Sequence, residues 1–315
     1  MDGRHPRCAV VGAANIDIGG FPAGRLAMQD SNPGRVRISA GGVGRNITCG
    51  LAQLGVRTQL IAALGTDAFA DIVRADCARA GVRTDMAFAF PGEASSAYLF
   101  IADAGGDMQL AVSDMDICLR LTPGALESRV EALNAMDAVV LDSNLSAEAL
   151  DFLAGHITAP LLADAVSTAK APRLRGALGR LRALKANAIE AETLTGIPVH
   201  GPDSAARAAR KLVEAGIQRV YVTMGEKGVC CADGSQALHL PAAPAQLVNA
   251  TGAGDAFSAA LAWGEIRGLS LRDCAVAGLA AASIAVESVQ TVIPALGEVS
   301  LLERIAAVQR HLASE

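Results

Sequence analysis

The run Asn249-Ala-Thr-Gly-Ala-Gly-Asp-Ala-Phe-Ser258 governs how the rest of the chain is read. Thr251-Gly252-Ala253-Gly254 carries almost no side-chain bulk, and an alanine-rich stretch of helical character, 255–267, follows it. Small residues let backbone approach a ligand closely. The start of a helix presents unbonded N–H groups and a partial positive charge. Together they make an anion hole, suited to a phosphate or a developing oxyanion. Asp255 stands in the first turn beside that hole, where a carboxylate can take the proton of a hydroxyl as its oxygen attacks phosphorus. The plainer use of an Asp there is to cap the helix.

Outward from this run, the 315 residues suffice for one large α/β domain or one domain with a small addition. Hydrophobic residues make up 51% of the chain, enough for a sizeable core. A net charge of −5 and the lack of a basic patch argue against a nucleic-acid partner. Apolar runs such as 279–286 fall short of the roughly 20 residues a membrane span needs. The N-terminus is polar and lacks the apolar core of a secretion signal. Cysteines at 8, 49, 77, 118, 230, 231 and 274 are odd in number and form no Cys-x-x-Cys pair. They read as small apolar residues in a reduced compartment, so a cytoplasmic location is expected.

Short apolar runs at 8–14, 57–64, 138–141, 160–166, 184–187 and 219–224 read as buried strands. Segments of helical period at 45–54, 67–80, 147–153 and 204–215 lie between them. Such alternation predicts a parallel sheet covered on both faces. Helices over 271–288 and 299–312 are expected to follow the glycine-rich turn. Residues 18–40 and 95–113 break the pattern. The stretches 96–102 and 108–112 flank Gly105-Gly106-Asp107 as a hairpin, and 35–39 alternates polar with apolar. A small β-sheet projecting from a single domain, 1–315, is therefore expected.

Five further motifs carry polar residues at element ends. Gly12-Ala-Ala-Asn15-Ile-Asp17 leaves the first strand, where ligands of open α/β sheets bind. An amide and a carboxylate there can hold sugar hydroxyls, or form an Asx turn. Gly41-Gly42-Val43-Gly44-Arg45-Asn46 precedes a helix. It is no dinucleotide fingerprint, and reads either as backbone packed on a sugar with Asn46 on a hydroxyl, or as a flexible loop. Asn187-Ala-Ile-Glu190 suits a magnesium-and-phosphate site, and equally a capping box. Thr223-Met-Gly225-Glu-Lys-Gly228 suits a phosphate loop or a β-turn between strands. Asp164-Ala-Val-Ser167-Thr-Ala-Lys170 leaves a strand with Lys170 able to reach a ligand, or simply solvent. No Gly-x-x-x-x-Gly-Lys-Ser/Thr loop and no protein-kinase signature is present.

In this order, over about 7–312, the motifs resemble the ribokinase-like or PfkB family of carbohydrate kinases. The resemblance implies a three-layer α/β sandwich with a mostly parallel sheet and a β-sheet lid over the sugar site. It implies ATP as phosphoryl donor, with Asp255 as catalytic base and the amides of Gly252, Ala253 and Gly254 as anion hole. Asn15, Asp17, Gly41, Gly42, Asn46 and Lys170 then hold the acceptor. Asn187, Thr223, Gly225, Gly228 and Thr251 lie along the nucleotide, and Glu190 holds magnesium through water. It further implies a homodimer formed through the lid. The Gly-Gly-Val-Gly-Arg-Asn run, the 164–170 segment and Asp142-Ser-Asn144-Leu resemble the pseudouridine-kinase branch, with Ala165 in place of a Pro and Ser143 in place of a common Ala. The acceptor expected on that resemblance is the ribose 5′-hydroxyl of pseudouridine. Kinases for another nucleoside or for free ribose, fructose or ketodeoxygluconate stay open, as does a non-catalytic sensor. Asn249 stands where potassium-dependent ribokinases often carry Asp, so a monovalent cation is left open. Tyr98, Phe100 and Met115 are candidates for meeting a base, or else for filling the lid's own core.

Overall fold

The structure, a computed structural model, describes residues 5–103, 105, 107–288, 293 and 295–314. After β1 (Arg7–Val11) the chain leaves for β2 (Asn15–Pro22) and β3 (Gly34–Gly41), then returns through α1 (Val43–Gln53) to β4 (Arg57–Ile61). The short strands β5 (Ala63–Leu64) and β6 (Phe88–Ala89) flank α2 (Ala68–Arg79), and the hairpin β7 (Ala97–Ala102) and β8 (Met108–Asp114) follows. Next come α3 (Pro123–Glu127), α4 (Val130–Asn134), β9 (Ala138–Asp142), α5 (Ala147–His156), β10 (Leu161–Asp164), β11 (Leu181–Asn187), α6 (Ala188–Thr195) and α7 (Pro202–Glu214). Strands β12 (Arg219–Thr223), β13 (Val229–Asp233) and β14 (Ala237–Leu240) precede α8 (Ala253–Ile266), α9 (Leu271–Val286) and α10 (Glu298–Ser314).

The main sheet runs β14-β13-β12-β11-β10-β9-β1-β4. Pairing from β4 to β12 is parallel, while β13 and β14 are antiparallel additions at one edge. Because side chains alternate along a strand, the sheet feeds two cores. Ala9, Val11, Val139 and Leu141 join Leu126, Leu150 and Leu212 on one face. Cys8, Val10, Ala138 and Val140 join Ile47, Phe257 and Ala277 on the other. This is the expected three-layer sandwich. The β13–β14 hairpin was not legible in the alternation, because a tight hairpin needs no crossover helix and leaves none in the sequence. All seven cysteines are buried and unpaired. Among the described residues no helix is long and apolar enough to cross a membrane.

A separate sheet, β3-β2-β7-β8, stands away from the main one. Its strands occupy the two segments that broke the helical pattern; of the expected turn residues, Gly106 lies outside the described residues. Ile16 and Ala40 root it against Ala70 and Val73 of α2. The pairing register puts Asn15, Asp17, Tyr98 and Phe100 on one face and Ile18, Ile38, Leu99 and Val112 on the other.

Candidate active site

The ends of β9, β10 and β11 meet the N-terminus of α8, where an open α/β sheet places its ligands. Gly252 caps α8 in the left-handed region, φ 86°, a conformation open to glycine at little strain. The amides of Gly254 and Asp255 find no acceptor among the described residues, so the helix start retains donors for an anion. Asp255 does not cap its own helix; its Oδ2 accepts from Nδ2 of Asn46 at 2.8 Å. Burial, with the charge of Asp164 next in weight, pushes the Asp255 carboxyl up to about 7. Asn46 and Lys185 oppose that rise, and Asp142 adds to it. A carboxyl poised there is a fitting general base near neutrality.

Three charged residues of this cluster did not stand out as site residues in the sequence. Asp142 and Asp164 close β9 and β10, and Lys185 sits inside β11; all three are buried. Asp142 accepts from the amides of Ala13 and Asn144 at 2.8 and 2.9 Å. Asp164 accepts from Ser258 at 2.6 Å and from the Val166 amide at 2.8 Å, and Lys185 Nζ stands 3.3 Å from its Oδ2. Burial works against the Lys185 charge, but Asp164, Glu190 and Asp255 outweigh it and raise its pKa. A Cβ on Gly254 would lie 3.1 Å from Lys185 Nζ, so the ammonium sits directly under the α8 N-terminus. The available signal was a charged residue inside an apolar strand, since Asp and Lys are seldom fully buried without a purpose.

On the side expected to hold the acceptor, Asn15 donates to Asp17 at 2.7 Å from the first residue of the lid strand β2 rather than from an Asx turn. Burial raises the Asp17 carboxyl, moderated by Asn15 and Arg45. Gly41 packs on Asp17: a Cβ there would stand 2.2 Å from its Oδ2. Gly42, φ 97°, opens α1, where a Cβ would meet the Ala13 carbonyl at 2.6 Å. Asn46, expected on a hydroxyl, donates to Asp255 instead, and its Oδ1 accepts from Arg45 at 3.0 Å. Lys170 donates to Asn144 Oδ1, and burial lowers its pKa. Tyr98 pairs across from Asp17 on the same face. Phe100 packs edge-on against Phe21 at 5.8 Å and over Gly19, filling the lid's own core.

On the other side, Asn187 and Glu190 do form a capping box: Asn187 Oδ1 accepts from the Glu190 amide, and Glu190 accepts from both Asn187 nitrogens at 2.7 Å. Thr223 ends β12, and Gly225 and Gly228 (φ 59° and 82°) shape the turn into β13. A Cβ on Gly228 would collide with the Leu240 carbonyl at 2.0 Å, so this glycine serves packing, whereas Gly225 faces open space. Asn187, Thr223, Gly225, His200 and Lys227 line a cavity of about 280 Å³. Larger hollows, about 680 Å³ between α9 and α10 and about 670 Å³ on the lid, hold neither the carboxyl base nor the free amides. Thr251 is exposed, and its amide donates to Asn249 Oδ1 at 3.0 Å. Among the described residues no three His, Cys, Asp or Glu gather to hold a metal. A single carboxylate such as Glu190, acting through water, suits magnesium, which keeps several waters and leans on substrate phosphates.

The model of the pfkB family carbohydrate kinases matches residues 5–296. The pseudouridine kinase of Escherichia coli is 36% identical over 256 residues, 80% of this chain and 82% of that protein. A solved carbohydrate kinase from Agrobacterium tumefaciens superposes with a TM-score of 0.86 at 31% identity, covering 96% of this chain and 97% of that one. Arabidopsis thaliana ribokinase complexed with ribose and ATP shares the fold, with a TM-score of 0.87 at 24% identity over 96% and 99% of the two chains. The chain belongs to the pfkB family of carbohydrate kinases, phosphotransferases with an alcohol acceptor. Kinases of this fold use ATP and typically magnesium.

Proposed function

We propose that the chain phosphorylates the ribose 5′-hydroxyl of pseudouridine with ATP, giving pseudouridine 5′-phosphate and ADP. The observation that carries phosphoryl transfer is the Asp255 carboxyl set against the unbonded amides of α8. The choice of acceptor rests on the 36% identity to the Escherichia coli pseudouridine kinase, and Tyr98 beside Asp17 suits a base next to a ribose. Asn15 and Asp17 hold the ribose hydroxyls, with Gly41 and Gly42 bringing the backbone close to the sugar. Asp255, steadied by Asn46, removes the hydroxyl proton, a contribution of roughly 10²–10⁴ in rate. The amides of Gly252 and Gly254 stabilise charge on the moving phosphoryl group, with Lys185 beneath them, while the Ala253 amide, expected in the same hole, donates to the Ala250 carbonyl at 3.4 Å. Thr223, Gly225, Asn187 and Thr251 hold the nucleotide, and Lys170 reaches the acceptor from the segment that follows β10. Glu190 holds magnesium through water beside its capping role; when bound, the ion neutralises phosphate charge. The lid excludes water as a competing acceptor. The enzyme works as a homodimer in the cytoplasm, a setting its seven free thiols support.

ADP release with pseudouridine, uridine, adenosine and ribose as acceptors tests the assignment, with ³¹P NMR of the product. Pseudouridine giving the highest kcat/KM and a 5′-phosphomonoester supports it. Preference for ribose or adenosine would overturn the choice of acceptor, while phosphoryl transfer would stand.

A further inference from the structure

We propose that Arg45 is a positioning residue: it fixes the orientation of the Asn46 amide so that the NH₂ group, not the carbonyl, faces Asp255. The inference rests on the reading of Asp255 as base. An amide side chain is nearly symmetric in shape, and its two ends differ only in what they offer a neighbour. Beside a carboxylate, the NH₂ end attracts and the carbonyl end repels. Once protonated, however, the carboxyl offers a donor as well as an acceptor, so Asp255 alone does not fix which end faces it. Arg45 Nη1 donates to Asn46 Oδ1 at 3.0 Å, and Asn46 Nδ2 donates to Asp255 Oδ2 at 2.8 Å. A guanidinium has donors only, so an amide turned the other way would point NH₂ at Arg45 and oxygen at Asp255, losing both bonds.

Arg45 is itself held from several sides. Its side chain is 4% exposed and pairs with Asp76 of α2. The same Nη1 donates to the Ala40 carbonyl at 3.2 Å, and the Arg45 amide donates to Ala13 at 3.0 Å. Ala40 is the penultimate residue of the lid strand β3, so one buried guanidinium joins α2, the lid root and, through Asn46, Asp255. Its planar fork suits this branching; a lysine ammonium, a point charge, would not reproduce it. Asp255 is faced by Asp142 from β9, Asp164 from β10, Lys185 from β11 and Asn46 from α1. Arg45 is faced by Asp76 and Cys77 from α2, Cys49 on its own helix and Asp17 from β2. Of these, the amide of Asn46 is the group whose sign toward Asp255 a rotation can reverse.

The test compares pH profiles of kcat/KM, with the best acceptor of the panel, for wild type, Arg45→Met/Asp76→Leu, Asn46→Ala and their combination. Replacing both members of the buried pair leaves no orphan charge. The acid limb is expected to move up by about one pH unit in Arg45→Met/Asp76→Leu, with kcat lower about tenfold and KM for ATP unchanged. Adding these changes to Asn46→Ala moves the limb no further. A limb that stays with wild type, or moves as far in the Asn46→Ala background, overturns the proposal. Arg45→Lys, with and without Asn46→Ala, gives the same comparison should the paired variant not fold. Asp255→Asn separates the two claims. If that variant turns over normally the base assignment fails, whereas if it is inactive and the Arg45 profiles are unchanged only the positioning role fails.

Discussion

At the scale of single residues, the decisive fact is a carboxyl held near neutrality. Only its ionised form accepts a proton, so kcat/KM should rise with pH through a limb near 7 and level off above it. A steady-state profile from pH 5 to 9 checks this; a flat profile across that range contradicts it. The same shift has a consequence for stability. The folded state keeps the proton up to about 7, and the unfolded state releases it near the ordinary 3.8. Stability present below that lower value is therefore lost as pH rises through the window from about 4 to 7. Asp255→Asn should melt a few degrees above wild type at pH 8 and close to it at pH 4, read by thermal unfolding. Gly41 offers a second test: a Cβ 2.2 Å from Asp17 displaces that carboxylate. Gly41→Ala should raise the acceptor KM about tenfold with a smaller effect on kcat, measured by steady-state kinetics. Asp255 and its small neighbours were legible in the sequence because the bulk-free run and the base are contiguous. Lys185, Asp142 and Asp164 were not, because their partners come from separate strands and only the folded sheet joins them.

At the scale of elements, the site depends on how closely α1 approaches α8. Asn46 and Gly50 lie one turn apart on α1, facing α8. A Cβ on Gly50 would come within 2.8 Å of Ala259 Cβ, so the glycine sets the helix separation. Gly50→Val should wedge the helices apart and lengthen the Asn46–Asp255 bond. The expected loss is about 1–3 kcal/mol of stability, with a drop in kcat, checked by urea unfolding and single-turnover kinetics on one preparation. Helix existence was readable from period alone. The closeness of this pair was not, because a glycine within a helix signals a close approach without naming the partner. The capping box at Asn187–Glu190 shows a related ambiguity. One spacing serves both local capping and a ligand site, and the sequence offers no way to separate the two.

At the scale of the whole molecule, the lid is two-faced. One face, proposed to meet the acceptor, carries Asn15, Asp17 and Tyr98, while the opposite face exposes Val36, Ile38, Leu110 and Val112, at 71, 55, 55 and 59%. A contiguous apolar sheet face of this kind calls for a cover, and in the homodimer proposed above a second copy of the same face would supply one by two-fold symmetry. Ile38→Glu with Val112→Glu should convert a dimer to a monomer in light scattering; a wild type already monomeric at micromolar concentration contradicts the pairing. The lid was legible as a break in helical period. Which face meets ligand was not, since both faces carry apolar residues and only the strand register sorts them. Of all the roles proposed, that of Asp255 as the group that activates the acceptor beneath the α8 amides is central. Its most direct test is ADP formation by Asp255→Asn with ATP, magnesium and pseudouridine at pH 8. The expected result is a folded protein that still binds ATP and has lost roughly 10²–10⁴ of its turnover; turnover at the wild-type rate would contradict it.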